Sequence, residues 1–414
     1  MSPEIRTVTE SEYPDWMRAL ATGFLMPPTP SEQDLKVRRS GTDLDRTLGA
    51  FDGGRCVATY RTHPQWLSVP GGARVDANAI TNITVASTHR RRGLLSRMMA
   101  RDLAVAKERG DVVATLTSAE YPIYGRFGFA PATSMAAWTV DLPRTGLDRR
   151  ATGPACGGRI DLADMADIRA LGPALHERVA ALTPGMVSRS ERWWQLATGV
   201  LQVSSDPWTE PLSALYRSAS GEVEGLVVYA ADGKWNDAQQ PLNTLTVRDL
   251  LALTPAAERA LWHHVCSVDW ATGVEVPRRA PDDVLPLLLP DPRAARTTSI
   301  IDGIWLRFLD TPRALAARTY GTTASLVLDI RDELGHGGGR FLLDTTPEGT
   351  TCTTTTRTPD LTLPAPTLAR LYLGDESPHR LAALGLLEEN SAGALTLADH
   401  AFRTPRRPWC PDVF

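Results

Sequence analysis

The sequence predicts an α+β protein with more than one domain, and three features lead there. Its 414 residues are 43% hydrophobic, enough apolar material for two or three cores at ~100 to 200 residues per domain. A β-α-β unit stands out in the first third of the chain. "AITNITVAS", ending at Ser87, is rich in β-branched residues and reads as a strand, and "DVVATLT", starting at Asp111, reads as a short buried strand parallel to it. Between them Leu95, Met98, Met99, Leu103 and Ala106 form one apolar helical face, and Gly110 stops the helix. The third feature is an echo of that order later in the chain.

Ahead of this unit, "TESEYPDWMRALATGF" joins helical apolar spacing to a Thr9 to Glu12 capping-box pattern. "AFDGGRCVATY" and "WLSVPGGARV" carry the turns of antiparallel hairpins. These elements make a first segment, 1–150. After "RTGLDRRATGPACGG", a second segment, 151–293, gives two strand-like stretches, "LSALYRSASGEVEGLVVYAA" and "NTLTVRDLLAL", followed by a helix around "PAAERALWHHV". It repeats the first order without the basic turn. In the third segment, 294–414, "SLVLDIRDELGHGGGRFLLDTTPEGTTCTTTT" alternates like antiparallel strands joined by a Gly-rich loop, and "TLARLYLG" and "SPHRLAALGLLEEN" read as short helices. The HGGG at His336 to Gly339 reads as a turn, because no G-x-S-x-G elbow accompanies it.

Several function classes are excluded by composition. A net charge of −4 with a single local arginine cluster does not suit wholesale nucleic-acid binding. No apolar run approaches the ~20 residues of a membrane span, and "MSPEIRTVTESEY" lacks a secretory signal's basic and apolar regions, so a cytoplasmic protein is expected. Cys56, Cys156, Cys266, Cys352 and Cys410 form no CxxC, and their odd number argues for reduced, structural thiols. No metal is expected. His263 and His264 have no ligand spacing around them and read as packing or surface residues.

"VASTHRRRGLLSRMM" places Arg90, Arg91 and Arg92 where a helix begins. The helix dipole already puts about half a positive charge there, so the arginines work against local stability unless an anion offsets them. Exposed N–H groups, a glycine that admits close approach and arginine forks together suit a phosphate or pyrophosphate. Neither G-x-G-x-x-G nor G-x-x-x-x-G-K-[ST] is present, so a dinucleotide or Mg-nucleotide site is not supported.

The turn resembles R-x-x-G-x-[GA], the acetyl-CoA loop of GCN5-related N-acetyltransferases (GNAT), with Leu95 in place of the usual final small residue. Together with "SAEYPIYGRFGFA" and a terminal phenylalanine, it is similar to the Eis (enhanced intracellular survival) family of actinobacterial acetyltransferases. That resemblance implies two tandem GNAT-type domains, the second degenerate, then a sterol-carrier-like domain, and a homohexamer. It implies an acetyl-CoA-dependent N-acetyltransferase acting on polyamine-like or aminoglycoside amines, or alternatively on lysine side chains of peptides. A non-catalytic protein that binds an apolar ligand is the competing class, and the intact RRRG turn argues against it.

Acetyl transfer to an amine needs a held thioester, a deprotonated amine and a proton for the departing thiolate. A tyrosine of pKa ~10 can give its proton to a thiolate of pKa ~8.5 at a cost of roughly 2 kcal/mol. By the resemblance, Tyr124 in "IYGRFGF" is the proton donor, with Tyr121 its rival, and the C-terminal carboxylate of Phe414 is the proton acceptor. Ile83, Thr84 and Val85 would meet the pantetheine arm and thioester. Arg91, Arg92, Gly93, Leu94, Leu95 and Ser96 would wrap the pyrophosphate, Arg90 adding charge, while Ala119 and Glu120 form a further cofactor contact. Phe24, Met26, Trp66 and Trp16 are the expected acceptor-pocket walls. Some family members carry an acidic residue just before the terminal phenylalanine; here Val413 stands there and Asp412 is one place further back.

Overall fold

The computed structural model describes residues 3–148, 154 and 157–414. Cys156 and the middle of the expected link between the first two segments lie outside the described residues. The first segment supplies β1 (Glu4–Thr7), α1 (Tyr13–Gly23), α2 (Glu32–Arg39), β2 (Thr47–Asp52), β3 (Arg55–Ser68), β4 (Arg74–Val85), α3 (Leu94–Arg109), β5 (Val113–Thr117), β6 (Ala130–Pro131) and β7 (Ser134–Asp141). The second supplies β8 (Arg159–Ala163), α4 (Met165–Ala180), α5 (Glu191–Ala197), β9 (Leu212–Arg217), β10 (Val223–Ala231), β11 (Asn243–Ala252), α6 (Pro255–Cys266), β12 (Ala271–Arg279) and α7 (Leu285–Leu288). The remainder holds β13 (Ala295–Asp302), β14 (Ile304–Phe308), α8 (Thr311–Ala317), β15 (Ala324–Arg331), β16 (Gly339–Thr346), β17 (Gly349–Thr354), β18 (Leu361–Pro364), α9 (Ala365–Tyr372), α10 (Pro378–Ala383), β19 (Glu388–Glu389) and α11 (Ala394–Phe402).

Three sheets result, ordered β1-β2-β3-β4-β5-β14-β6, β13-β7-β12-β11-β10-β9-β8 and β17-β16-β15-β18-β19. The segment limits at 150 and 294 do not follow sheet membership. β7 joins the second sheet between β12 and β13, and β14 returns to the first sheet to pair antiparallel with β5 and β6. Each exchange covers a strand edge that would otherwise be left with open N–H and C=O groups. The third sheet shares a core with the first: Leu67, Val75, Ala77 and Val113 pack in one cluster with Phe308, Leu328, Leu368 and Phe402.

The β-α-β unit forms as its pattern demands. β4 and β5 pair in parallel, Ala77 to Ile80 against Val113 to Leu116, and Gly110 ends α3 with φ 88°. Leu94 rather than Leu95 opens the buried stripe, because position 94 lies one full turn before Met98. The capping box at Thr9 and Glu12 opens a single 3-10 turn, and α1 follows from Tyr13. Trp16 is core, 1% exposed with its indole N–H donating to the Leu48 carbonyl at 2.9 Å, and so is not a pocket wall. HGGG closes the turn between β15 and β16 and runs into the first residue of β16, and Gly337 approaches Phe308 too closely for a side chain. Cys56, Cys352 and Cys410 are buried free thiols, and Cys266 is buried as well. Among the described residues, no helix is long and apolar enough to cross a membrane.

Candidate active site

The site is built where β4 and β5 part company. Their pairing ends at Ile80 and Leu116, while β4 runs on to Val85 and stays paired with β3 through Thr81, Thr84 and Val85. Asn82, at φ 54°, sits in a bulge between the Thr59–Thr84 and Arg61–Thr81 pairs, just past the end of the pairing with β5. Ile83, Thr84 and Val85 thus border a wedge on the side from which β5 has withdrawn. The Thr59 hydroxyl braces the bulge, donating to the Asn82 carbonyl at 2.8 Å and lying 2.8 Å from Thr84 Oγ1.

At the mouth of this wedge the chain turns into α3. Arg91 adopts φ 63° and Gly93 φ 70°; a Cβ added at Gly93 would meet nothing within 4 Å, so the glycine serves conformation and open approach. No side chain caps α3, and its first turn carries no acid. Arg90, Arg91 and Arg92 are exposed. Arg92 donates to the Thr88 carbonyl, and His89 pairs with Asp52, which ties the turn to the β2–β3 hairpin. The uncapped N–H groups and the surrounding guanidinium groups suit an anionic diphosphate, the requirement the sequence set for this turn.

Tyr124 lies at the other side of the wedge, at the start of the 3-10 turn Gly125–Phe127. It is buried edge-on between Phe129 and Trp305, with ring centroids at 6.4 and 6.3 Å. Burial, and then the neighbouring Glu120 carboxylate, push its pKa above the usual tyrosine value, so it keeps its proton throughout the neutral range. Tyr121 instead is 52% exposed, meets Trp305 edge-on at 4.8 Å and accepts a hydrogen bond from Arg370 of α9. That places it as a contact between the first and third sheets. Ala119 and Glu120 are exposed on the loop just after β5.

The chain terminus reaches the same place. Thr117, the last residue of β5, donates its hydroxyl to the Phe414 main-chain oxygen at 3.1 Å, and the Phe414 ring packs edge-on against His63 at 5.5 Å. Two buried polar atoms beside this contact, His63 Nδ1 and Ser118 Oγ, find no partner among the described residues. Burial, with positive Arg61 and Arg46 nearby, lowers the His63 pKa to about 4, so its ring is neutral. The tail is fastened by the second sheet. Arg189, stacked at 3.9 Å on Trp193, pairs with Asp412 at 3.0 Å and Asp249 at 2.6 Å, all three being largely buried. Trp409 donates its N–H to the Pro184 carbonyl and lies under the Arg279 guanidinium.

Of the expected pocket walls, two are near the wedge. Gly23 packs so tightly on Thr84 that a Cβ there would come within 2.3 Å, which sets the exposed Phe24 and Met26 just beyond the bulge of β4. Trp66 is not brought there. It lies seven residues along β3 from Thr59, about 23 Å at ~3.3 Å per residue, where it stacks on Arg74 and faces His176. His263 and His264 bond to Ser267 and Tyr229. Sequence reasoning missed Arg61, His63, Trp305 and the Arg189 clamp. Only the alternation of polar residues in "TYRTH" hinted at the first two.

The fold and the open wedge define a tandem GNAT acetyltransferase. GNAT acetyltransferase domains match residues 4–132 and, as a second type, 185–308, and a sterol carrier protein domain matches 311–411. The chain is 59% identical over 416 residues to an uncharacterized N-acetyltransferase of Streptomyces griseus, covering all of both chains. It is 31% identical over 410 residues to the N-acetyltransferase Eis of Mycobacterium tuberculosis, 97% of each. The solved structure of Eis1 from Mycobacterium abscessus superposes with a TM-score of 0.85 at 32% identity, covering 99% of this chain and all of that one. The chain belongs to the Eis-like family of actinobacterial N-acetyltransferases. It is an acetyltransferase enzyme, and its GNAT fold implies acetyl-CoA as co-substrate.

Proposed function

We propose that the protein transfers the acetyl group of acetyl-CoA to a primary amine in the cleft between the β4–β5 wedge, Phe24 and Met26, and the chain terminus. The observation that carries this reading is the convergence of three separate parts at one gap: the basic uncapped turn, the buried protonated Tyr124 and the Phe414 main chain held by Thr117. Arg91 and Arg92 with the N–H groups of Gly93 to Ser96 hold the diphosphate. The amine nitrogen attacks the thioester carbonyl, an N–C bond forms and the C–S bond breaks. Tyr124 gives its proton to the departing sulfur.

The amine's proton goes to the Phe414 carboxylate. A free α-carboxyl of pKa near 3.5 is a weak base toward an ammonium of pKa ~10, so enclosure beside His63 and Ser118, or relay through a water, is part of the assignment. Aminoglycosides and lysine peptides are the acceptor classes the family resemblance implies, and a cytoplasmic homohexamer is the assembly it implies. Thiol release from acetyl-CoA with aminoglycosides, polyamines and lysine peptides tests the reaction. Acceptor-dependent release of CoA is expected, and none from any amine would overturn it.

A further inference from the structure

Thr59, Arg61 and His63 alternate onto one face of β3, opposite to Tyr60, which packs against α3. The row runs between the two reacting ends of the site. Thr59 touches Thr84 at the wedge, and His63 touches the Phe414 ring. Arg61 stands midway, about 7 Å along the strand from either at ~3.3 Å per residue. An amine presented between thioester and terminus lies alongside it.

Apart from the Phe414 carboxylate beside His63, the charge on this face is positive. The charged side chains acting on Arg61 are Arg38 and Arg192, with the Tyr13 phenol and the neutral His63 ring as further titratable neighbours. Arg192 donates to the Val37 carbonyl and the Ser40 hydroxyl, and Arg38 to the Ser205 hydroxyl, so their partners are neutral. Side-chain carboxylates in the vicinity are engaged elsewhere: Asp34 receives the N–H groups of Ser204 and Ser205, and Asp412 and Asp249 share Arg189. Among the described residues, Arg61 has neither an ion pair nor a hydrogen bond, and it is half-buried. A half-buried guanidinium without a partner keeps its planar fork available, and that fork fits an oxyanion.

We infer that the acceptor is an amine that also carries an anionic group, a carboxylate or a phosphate, and that Arg61 receives that group. The inference rests on the acetyl-transfer reading and ranks the acceptors within it. A polycation such as an aminoglycoside would place further positive charge among three arginines, and is the poorer substrate.

The test compares amines of one chain length: ε-aminocaproate, aminopentyl phosphate, pentylamine and cadaverine, with an aminoglycoside beside them. Wild-type protein is expected to favour an anionic amine over cadaverine by about tenfold or more in kcat/KM, the size of one charge-assisted contact. The carboxylate and phosphate arms show which oxyanion is accepted. Arg61→Gln should remove the preference by raising the acceptor KM while leaving that for acetyl-CoA unchanged, and Arg61→Lys should restore part of it. A wild-type preference for cadaverine or the aminoglycoside, or a ratio unmoved by Arg61→Gln, would overturn the inference. Calorimetry with CoA present separates the two levels. Failure to bind CoA would count against the acetyl-transfer reading, whereas CoA binding without ε-aminocaproate or aminopentyl phosphate binding would sink the Arg61 assignment alone.

Discussion

The first and second sheets are two versions of one design, and they differ at the wedge. In both, a long strand pairs in parallel with its successor over a short stretch and a helix connects them, β4–α3–β5 and β11–α6–β12. In the first, the stretch beyond the pairing is open and α3 starts uncapped at Gly93. In the second, Thr254 caps α6 by accepting the Ala257 N–H at 3.2 Å, and Pro255 at the first position has no N–H to offer. The gap beside β11 is plugged by Arg279, which donates to the Leu250 carbonyl and pairs with Glu258 and Asp283. The same scaffold therefore binds or merely supports according to who satisfies its backbone groups. Asp249 of the second sheet, through Arg189, instead holds the tail that reaches the first.

If that division is right, interfering with the tail should do most damage. A C-terminal extension beyond Phe414, or its deletion, is expected to abolish turnover with acetyl-CoA affinity intact, as read by kinetics and calorimetry; full activity with an extension would return the catalytic base to another group. Tyr124→Phe should lower kcat by ~10² to 10⁴ without weakening acetyl-CoA binding, while the second sheet's Tyr229→Phe leaves kcat within a few-fold. Near-normal turnover in Tyr124→Phe would erase the catalytic contrast between the sheets. Arg279→Ala strands two buried carboxylates and should cost roughly 3 to 5 kcal/mol of stability in a urea titration, with the KM for acetyl-CoA unchanged.

The double replacement of Arg91 and Arg92 by alanine should do the reverse. It removes two charge-assisted contacts, worth roughly 1.5 to 3 kcal/mol each, from acetyl-CoA binding and leaves folding untouched. An unchanged KM for acetyl-CoA would show that the turn is no diphosphate site.

Acid offers the mildest comparison. Burial holds His63, on the first sheet, at about 4 and His176, against the second, at about 3. The unfolded chain takes up these protons near pH ~6.5, the folded one only below ~4. Stability that is complete above pH ~6.5 is therefore lost as pH falls toward ~4, each histidine removing no more than roughly 1.4 kcal/mol for every drop of one in pH. Urea midpoints measured across that range should fall in the wild type and fall less in His63→Gln and His176→Gln.

The β-α-β unit, the arginine turn, the Gly110 stop and the strands of the third segment were legible in the sequence, because each rests on neighbours within a few residues. Periodicity, capping and turn chemistry act at that range. The motif around Tyr124 was also local, and its burial follows from the apolar residues beside it. Tertiary structure alone decided that β14 returns to the first sheet and puts Trp305 behind Tyr124, and that β7 leaves for the second. It decided that Trp16 is core, that Trp66 lies at the far end of β3, and that His63 and Arg61 line the path to the terminus. Thr117 and Phe414 meet across 297 residues, and Arg189 and Asp412 across 223. Contacts at such separation leave no periodic trace, since threonine, arginine and aspartate are common in any surface strand or loop. Their meeting is fixed only when the shared core of the first and third sheets and the clamp from the second bring the chain's end back to its first domain.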